Sequence, residues 1–181
     1  MNEVLKTIAE RYSCRRFTDE PVSGEALNLL AHAAIAAPSA VNAQPWRIVV
    51  VKNRALISEW ETEAAENLRA ADPAAHERIM SRGGDLFYNA PALIALPIAP
   101  GAELDCGIAA ENIALAAASL GLGSLICGLA KFAFAGDKAE EFKARLKFPE
   151  GFELGIAVLV GRPAGDGAPH APDESKIIVI E

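Results

Sequence analysis

The chain has little of what a metal centre or a disulfide framework needs. Among its 181 residues are three cysteines, Cys14, Cys106 and Cys127, none in a Cys-x-x-Cys pair, and three scattered histidines, His32, His76 and His170. No metal-ligand spacing results, so no metal is expected. Basic residues are outnumbered, 17 Lys and Arg against 24 Asp and Glu, and the formal net charge of −7 argues against a nucleic-acid partner. The start, MNEVLKTIAE, has no apolar core behind a basic segment. With so few cysteines, that predicts a reduced, cytoplasmic protein. A membrane span is not expected either. Ile113–Ala130 runs eighteen residues without a charge, but seven are Ala or Ser, three are Gly, and Gly121-Leu122-Gly123 breaks it.

What is present suits a globular core. Hydrophobic residues make up 51%, and no repeat or low-complexity linker divides the chain, so one domain over 1–181 is expected. The apolar spacing predicts helices over about 3–10, 24–37, 53–69, 73–81, 104–120 and 137–146. Strands are predicted over 46–52, 92–96 between Pro91 and Pro97, 123–127 and 153–161, before a last apolar run at 176–180. Helices on a sheet, α+β or α/β, is the architecture this order implies. The stretch 104–120 has almost no polar face and reads as a helix buried on every side, either in the core or at a dimer interface.

Few motifs carry chemistry. Gly121-x-Gly123 follows a helix and has Ile126 where a dinucleotide fingerprint needs its third glycine, so that reading fails. Cys14 sits among arginines but has no base at hand for nucleophilic work. Arg11-Tyr12-Ser13-Cys14-Arg15-Arg16 packs three guanidinium groups and a hydroxyl into six residues of an acidic chain. Such forks suit phosphate oxygens, although a solvated turn has the same composition. The segment APSAVNAQPW, 37–46, sets small and amide side chains between a helix and a buried strand.

In order, Arg11-x-Ser13-x-Arg15-x-Phe17, Pro38-Ser39-Ala40-x-Asn42-x-Gln44-Pro45-Trp46, Asn89-Ala90-Pro91, Asp105…Glu111-Asn112, Leu120-Gly121-Leu122-Gly123 and Gly161-Arg162-Pro163 resemble the FMN-dependent nitroreductase family. The resemblance spans nearly the whole chain. It implies an α+β fold, an α/β/α sandwich whose central sheet is mixed and mostly antiparallel, assembled as a homodimer with FMN at the interface. It implies an oxidoreductase that takes electrons from NAD(P)H and reduces nitroaromatics, quinones or similar acceptors by a ping-pong mechanism, with no catalytic side chain. Related possibilities are reductive dehalogenation on the same scaffold, or flavin binding and redox sensing with little turnover. By position, Arg11, Ser13 and Arg15, with Tyr12 among them, would hold the phosphate and the O2 side of the flavin. Pro38, Ser39, Ala40 and Asn42 of the second subunit would line the ring, and Ile126, Cys127 and Gly128 would run along its edge. The family's C-terminal phosphate-binding Arg has no counterpart beyond Arg162, and Lys176 is the candidate substitute. Residues 54–90 are expected to cover the pocket.

Overall fold

A computed structural model describes residues 1–81 and 85–181. Four of its helices begin where a side chain can satisfy an orphan backbone N–H. Asn2 Oδ1 accepts from Leu5 N–H at 2.9 Å and starts α1, Glu3–Glu10. Ser23 Oγ does the same for Ala26 and starts α2, Gly24–Ile35. Asn53 opens α3, Arg54–Ala71, and Asp72 opens α4, Pro73–Met80, with Pro73 in the first turn, where its missing N–H costs nothing. The remaining helices are α5, Glu103–Ser119, and α6, Ala139–Arg145.

The sheet contains β1, Val49–Val51, β2, Ala92–Ile98, β3, Gly123–Cys127, and β4, Glu153–Gly161. Its order is β1-β2-β4-β3, antiparallel at every step, with Val50 opposite Ile94, Ile94 opposite Val158 and Leu125 opposite Leu159. The parallel element is an isolated bridge from Ser13 to Ser124 of β3, outside the four-stranded pairing. Both faces of β2 and β4 are covered. Leu93, Ala95, Ala157 and Leu159 join Trp60, Phe87 and Phe142 on the α3 side, whereas Ile94, Leu96, Val158 and Val160 join Leu27, Leu30 and Ile113 on the α2–α5 side. Burial on two sides explains why these strands read as continuous apolar runs and not as alternation. The result is the expected α/β/α sandwich. Trp60, fully buried, ties one face together: its Nε1–H donates to Ala130 O at 2.9 Å, and Phe87 and Phe134 meet its ring edge-on.

Two expectations need correction. Pro97 does not bound β2 but lies inside it, at a register shift after Leu96, where a proline's missing donor is tolerated. The strand expected over 46–52 shortens to Val49–Val51, and Trp46 makes only an isolated bridge to Ile98. Within the single chain the sheet, α2 and α1 pack against α5. They cover Cys106, Ala109, Ala110, Ile113, Ala114 and Ala117, while Ile108, Leu115, Ala116 and Ala118 stay half-buried, Gly107 is exposed and Leu104 is 79% exposed.

Beyond Pro163 the chain leaves the sandwich. Residues 164–181 are exposed and have no regular structure except a short 3-10 turn, Glu174–Lys176. The apolar run Ile177–Ile180 is 68–87% exposed. Among the described residues no helix is long and apolar enough to cross a membrane.

Candidate functional site

The arginine-rich segment lies along the outer edge of β3. Cys14 N–H donates to Ser124 O at 2.9 Å, and farther on Thr18 N–H donates to Arg162 O and Ala164 N–H to Arg16 O. The path follows the edge without strict alternation of buried and exposed side chains. Cys14 and Phe17 are buried, whereas Ser13, Arg15 and Arg16 face solvent. The contact is close: a Cβ built on Gly123 would lie 2.7 Å from Cys14 Sγ, so only glycine lets the two backbones meet there. Gly121, with φ of +70°, closes the C-terminus of α5, with Leu122 N–H reaching back to Ala117 O. Both glycines of the Gly-x-Gly therefore have structural duties, in keeping with the failed dinucleotide reading.

Tyr12 divides the segment between two cavities. One, of about 300 Å³, is lined by Thr7, Glu10, Arg11, Tyr12, Ser124 and Pro163 among others. In it Arg11 Nε lies 3.4 Å from Glu111 Oε1 of α5, so its charge is compensated. The other, of about 360 Å³, brings together Ser13, Arg15 and Arg16 with Gly165, Asp166 and Gly167 of the C-terminal segment. Among the described residues neither Arg15 nor Arg16 has an ion-pair partner. The Tyr12 phenol is pushed above its ordinary value by burial first, then by Cys14 and Asp166, and it stays protonated.

The second group of expected residues sits elsewhere. Ala40–Asn42 form a 3-10 turn that docks on the start of α5, where Ala40 N–H donates to Asp105 Oδ1 at 3.2 Å. Ser39 Oγ accepts from Gln44 N–H at 2.9 Å, and Gln44 Nε2 reaches Asn42 Oδ1. Val41, Asn42 and Gln44 have φ of +48°, +56° and +47°. Three non-glycine residues in the left-handed region within four positions store strain of the kind that clusters at functional sites. Pro38, Ala40 and Asn42 are exposed, and none of these loop residues lines either cavity beside Tyr12.

At the end of β3, Ile126 is 39% exposed, Cys127 is buried and Gly128 is exposed. Burial pushes the Cys127 thiol up to about 11, so it is no nucleophile. A Cβ on Gly128 would meet only Ile156 Cδ1, at 3.9 Å, so nothing inside the chain demands glycine there. Behind this edge, α3 places Glu61, whose Oε1 accepts from Phe87 N–H at 2.5 Å. Lys176 is not brought to Arg11, Ser13 or Arg15. It is exposed and lies 3.5 Å from Asp173 in its own turn. Of the segment expected to cover the pocket, 82–84 lie outside the described residues; α3 and α4 pack together beside the residues 128–134 that follow β3. Gly165 and Gly167, which line one cavity with Ser13, Arg15 and Arg16, were not among the expected residues. Their signal, a Gly-x-Gly 149 residues after an extra arginine, has no local meaning.

Compared with known proteins, residues 8–162 match the profile of the Nitroreductase family. The chain belongs to the nitroreductase family. Within it, the chain is 51% identical to a nitroreductase with bound FMN from Desulfitobacterium hafniense, with a TM-score of 0.97 and all of both chains covered. It is 31% identical to a candidate NADH dehydrogenase/NAD(P)H nitroreductase of Methanothermobacter thermautotrophicus, over 90% of this chain and 78% of that one. It is 28% identical to the FMN reductase [NAD(P)H] of Bacillus subtilis, over 97% of this chain and 72% of that one. In this nitroreductase chain both residue groups meet α5, the loop at Asp105 and Arg11 at Glu111.

Proposed function

We propose that this member of the nitroreductase family is a single-domain, cytoplasmic, FMN-dependent NAD(P)H oxidoreductase. It works as a homodimer and reduces nitroaromatics, quinones or similar acceptors by a ping-pong mechanism. The observation that carries the reading is the cavity where Ser13 and Arg15 gather unpaired positive charge and a hydroxyl in a chain of net charge −7. The FMN found in the D. hafniense relative is a phosphomonoester on a flat ring, and the residues present suit both parts.

Bound there, FMN supplies two-electron chemistry, taking reducing equivalents from NAD(P)H and delivering them to the acceptor. The chain's own residues bind and orient. Ser13 and Arg15 donate to the phosphate or the O2 side, and a guanidinium beside the ring favours negative charge on it. Arg11, already paired with Glu111, holds the same segment in place. Ile126, Cys127 and Gly128 lie along the ring edge, and the absent Cβ at Gly128 lets the backbone approach. Pro38, Ser39, Ala40 and Asn42 come from the second subunit. No side-chain acid or base is assigned.

The apolar surface supports the dimer. Leu104 on α5, Val4, Leu5 and Ile8 on α1, and Ile177–Ile180 in the tail are all at least half exposed, an arrangement suited to a large obligate interface. The three cysteines are free and buried, as suits a reducing compartment. Denaturing the purified protein and chromatographing the released flavin tests the cofactor, and rapid mixing with NADH and with NADPH tests turnover. Recovery of FAD, or no flavin even after reconstitution, refutes the cofactor assignment. Bound FMN that neither nicotinamide reduces refutes the enzymatic one.

A further inference from the structure

We infer that Glu111 of α5 is a positioning residue for the flavin phosphate, holding the Arg11 guanidinium on its Nε side. The terminal N–H groups are then left to grip two phosphate oxygens. This deepens the FMN reading above and rests on it. Arg11 differs from the other arginines of its segment. Its backbone N–H donates to Thr7 O at 3.0 Å and closes α1, so the side chain departs from a fixed point. That side chain is 19% exposed, whereas Arg15 and Arg16 are open to solvent. A guanidinium drawn this far from water needs compensating partners. Glu111 is one: its Oε1 lies 3.4 Å from Arg11 Nε, and no other carboxylate pairs with Arg11 among the described residues.

The pairing is incomplete. Lys138–Glu63 and Arg145–Glu59 close to 2.6 Å, whereas Arg11–Glu111 stands at 3.4 Å, beyond the ~2.7–2.9 Å of a charge-assisted hydrogen bond. The nitrogen nearest the carboxylate carries one of the guanidinium's five N–H groups, and the other four form the flat fork that matches a phosphate. Among the described residues that fork donates no hydrogen bond to the protein, unlike those of Arg47, Arg54 and Arg145. Arg11 lines the cavity of about 300 Å³ with Thr7, Tyr12, Gly121 and Ser124, and a Cβ on Gly121 would meet nothing within 4 Å, so that wall has room. Glu10 also lines it, but is exposed and unpaired with Arg11. A phosphate there completes the compensation that Glu111 begins, and Arg15, across Tyr12, is left for the O2 side of the ring. Glu111 acts by orientation, against its own charge. A carboxylate beside a phosphate repels it, so by charge alone Glu111 would be a hindrance. Anchoring at Nε fixes the plane of the fork beforehand and so reduces the freedom lost on binding.

Fluorescence titrations of the full chain, stripped of flavin, with FMN and with riboflavin test this. Riboflavin shares the ring and lacks the phosphate. R11A is expected to weaken FMN binding roughly ten- to a hundredfold, the range for a charge-assisted hydrogen bond, and to leave riboflavin affinity unchanged. E111A should weaken FMN binding about three- to tenfold, as loss of one ordinary contact does, again sparing riboflavin. E111Q keeps an acceptor oxygen at the same reach without the charge, and should bind FMN as wild type does or more tightly. In the R11A background E111A should add nothing, because Glu111 acts through Arg11. E111M, which keeps length and offers no acceptor, serves if E111A folds poorly. The inference is overturned if E111A and E111M bind FMN as wild type does or more tightly, or if E111Q loses as much as E111A. It is equally overturned if riboflavin weakens as much as FMN, if R11A leaves FMN binding unchanged, or if the two losses add in the double variant. Wild-type protein that binds neither flavin refutes the FMN reading itself, an outcome distinct from all of these.

Discussion

Gly123→Ala tests the seam that carries the arginine segment. The new methyl carbon would stand 2.7 Å from Cys14 Sγ, 2.9 Å from Cys14 Cβ and 3.2 Å from Pro163 Cγ. Rotating the thiol away would relieve the first contact and give up its hydrogen bond to Arg16 O, but no rotation moves Cys14 Cβ. The backbones cannot part freely either, because Cys14 N–H is bound to Ser124 O at 2.9 Å, one residue along β3. Overpacking of this kind typically costs about 1–3 kcal/mol, here with the stretched bridge included. Urea denaturation gives the number from the shift in midpoint at constant slope. Cys14→Ala removes Sγ and so relieves part of the clash. The double variant should then lose less than the sum of the two single losses, since residues in direct contact couple. The segment that moves also carries Ser13 and Arg15, so FMN binding by folded Gly123→Ala should weaken too. A loss below about 0.5 kcal/mol with strict additivity to Cys14→Ala would show that the seam yields freely, and would refute the reasoning.

Two other predictions concern pH and assembly. Burial, helped by the charge of Asp85, raises the Glu61 carboxyl above its ordinary 4.5, so folding takes up a proton. The stability this group contributes is fully present below 4.5 and is lost as pH rises through the higher folded value; Glu61→Gln should gain on wild type between about pH 4 and neutrality, and a constant difference in unfolding free energy across that range would contradict it. If the FMN site draws on two chains, co-refolding the inactive variants Arg11→Ala/Arg15→Ala and Ser39→Trp/Asn42→Ala should restore one intact site per heterodimer. No recovery, with heterodimers shown by mass spectrometry, would place both groups in one chain's site.

The sequence by itself determined the elements and much of their layering. Helix starts at Asn2, Ser23, Asn53 and Asp72 rest on a side chain reaching a backbone N–H three residues on, and the 3.6-residue spacing of Leu27, Leu30 and Ala34 is equally local. Uninterrupted apolar runs in β2 and β4 already imply a sheet covered twice. Tertiary structure alone decided where charge collects. Arg11 and Arg15 stand four residues apart in one motif, yet Tyr12 separates them, because Glu111 of α5 meets one and the 164–168 segment faces the other. Arg16, ordinary in sequence, gains its place from Gly165, some 150 residues away. Pro97 reads as a strand end and is carried inside β2 by its pairing across to β4. Helix α5 reads as wholly buried, and one chain leaves Leu104 and Gly107 on it exposed. Local hydrogen bonds and periodicity are written in neighbouring residues, whereas a cavity's charge is a sum over walls that only folding brings together.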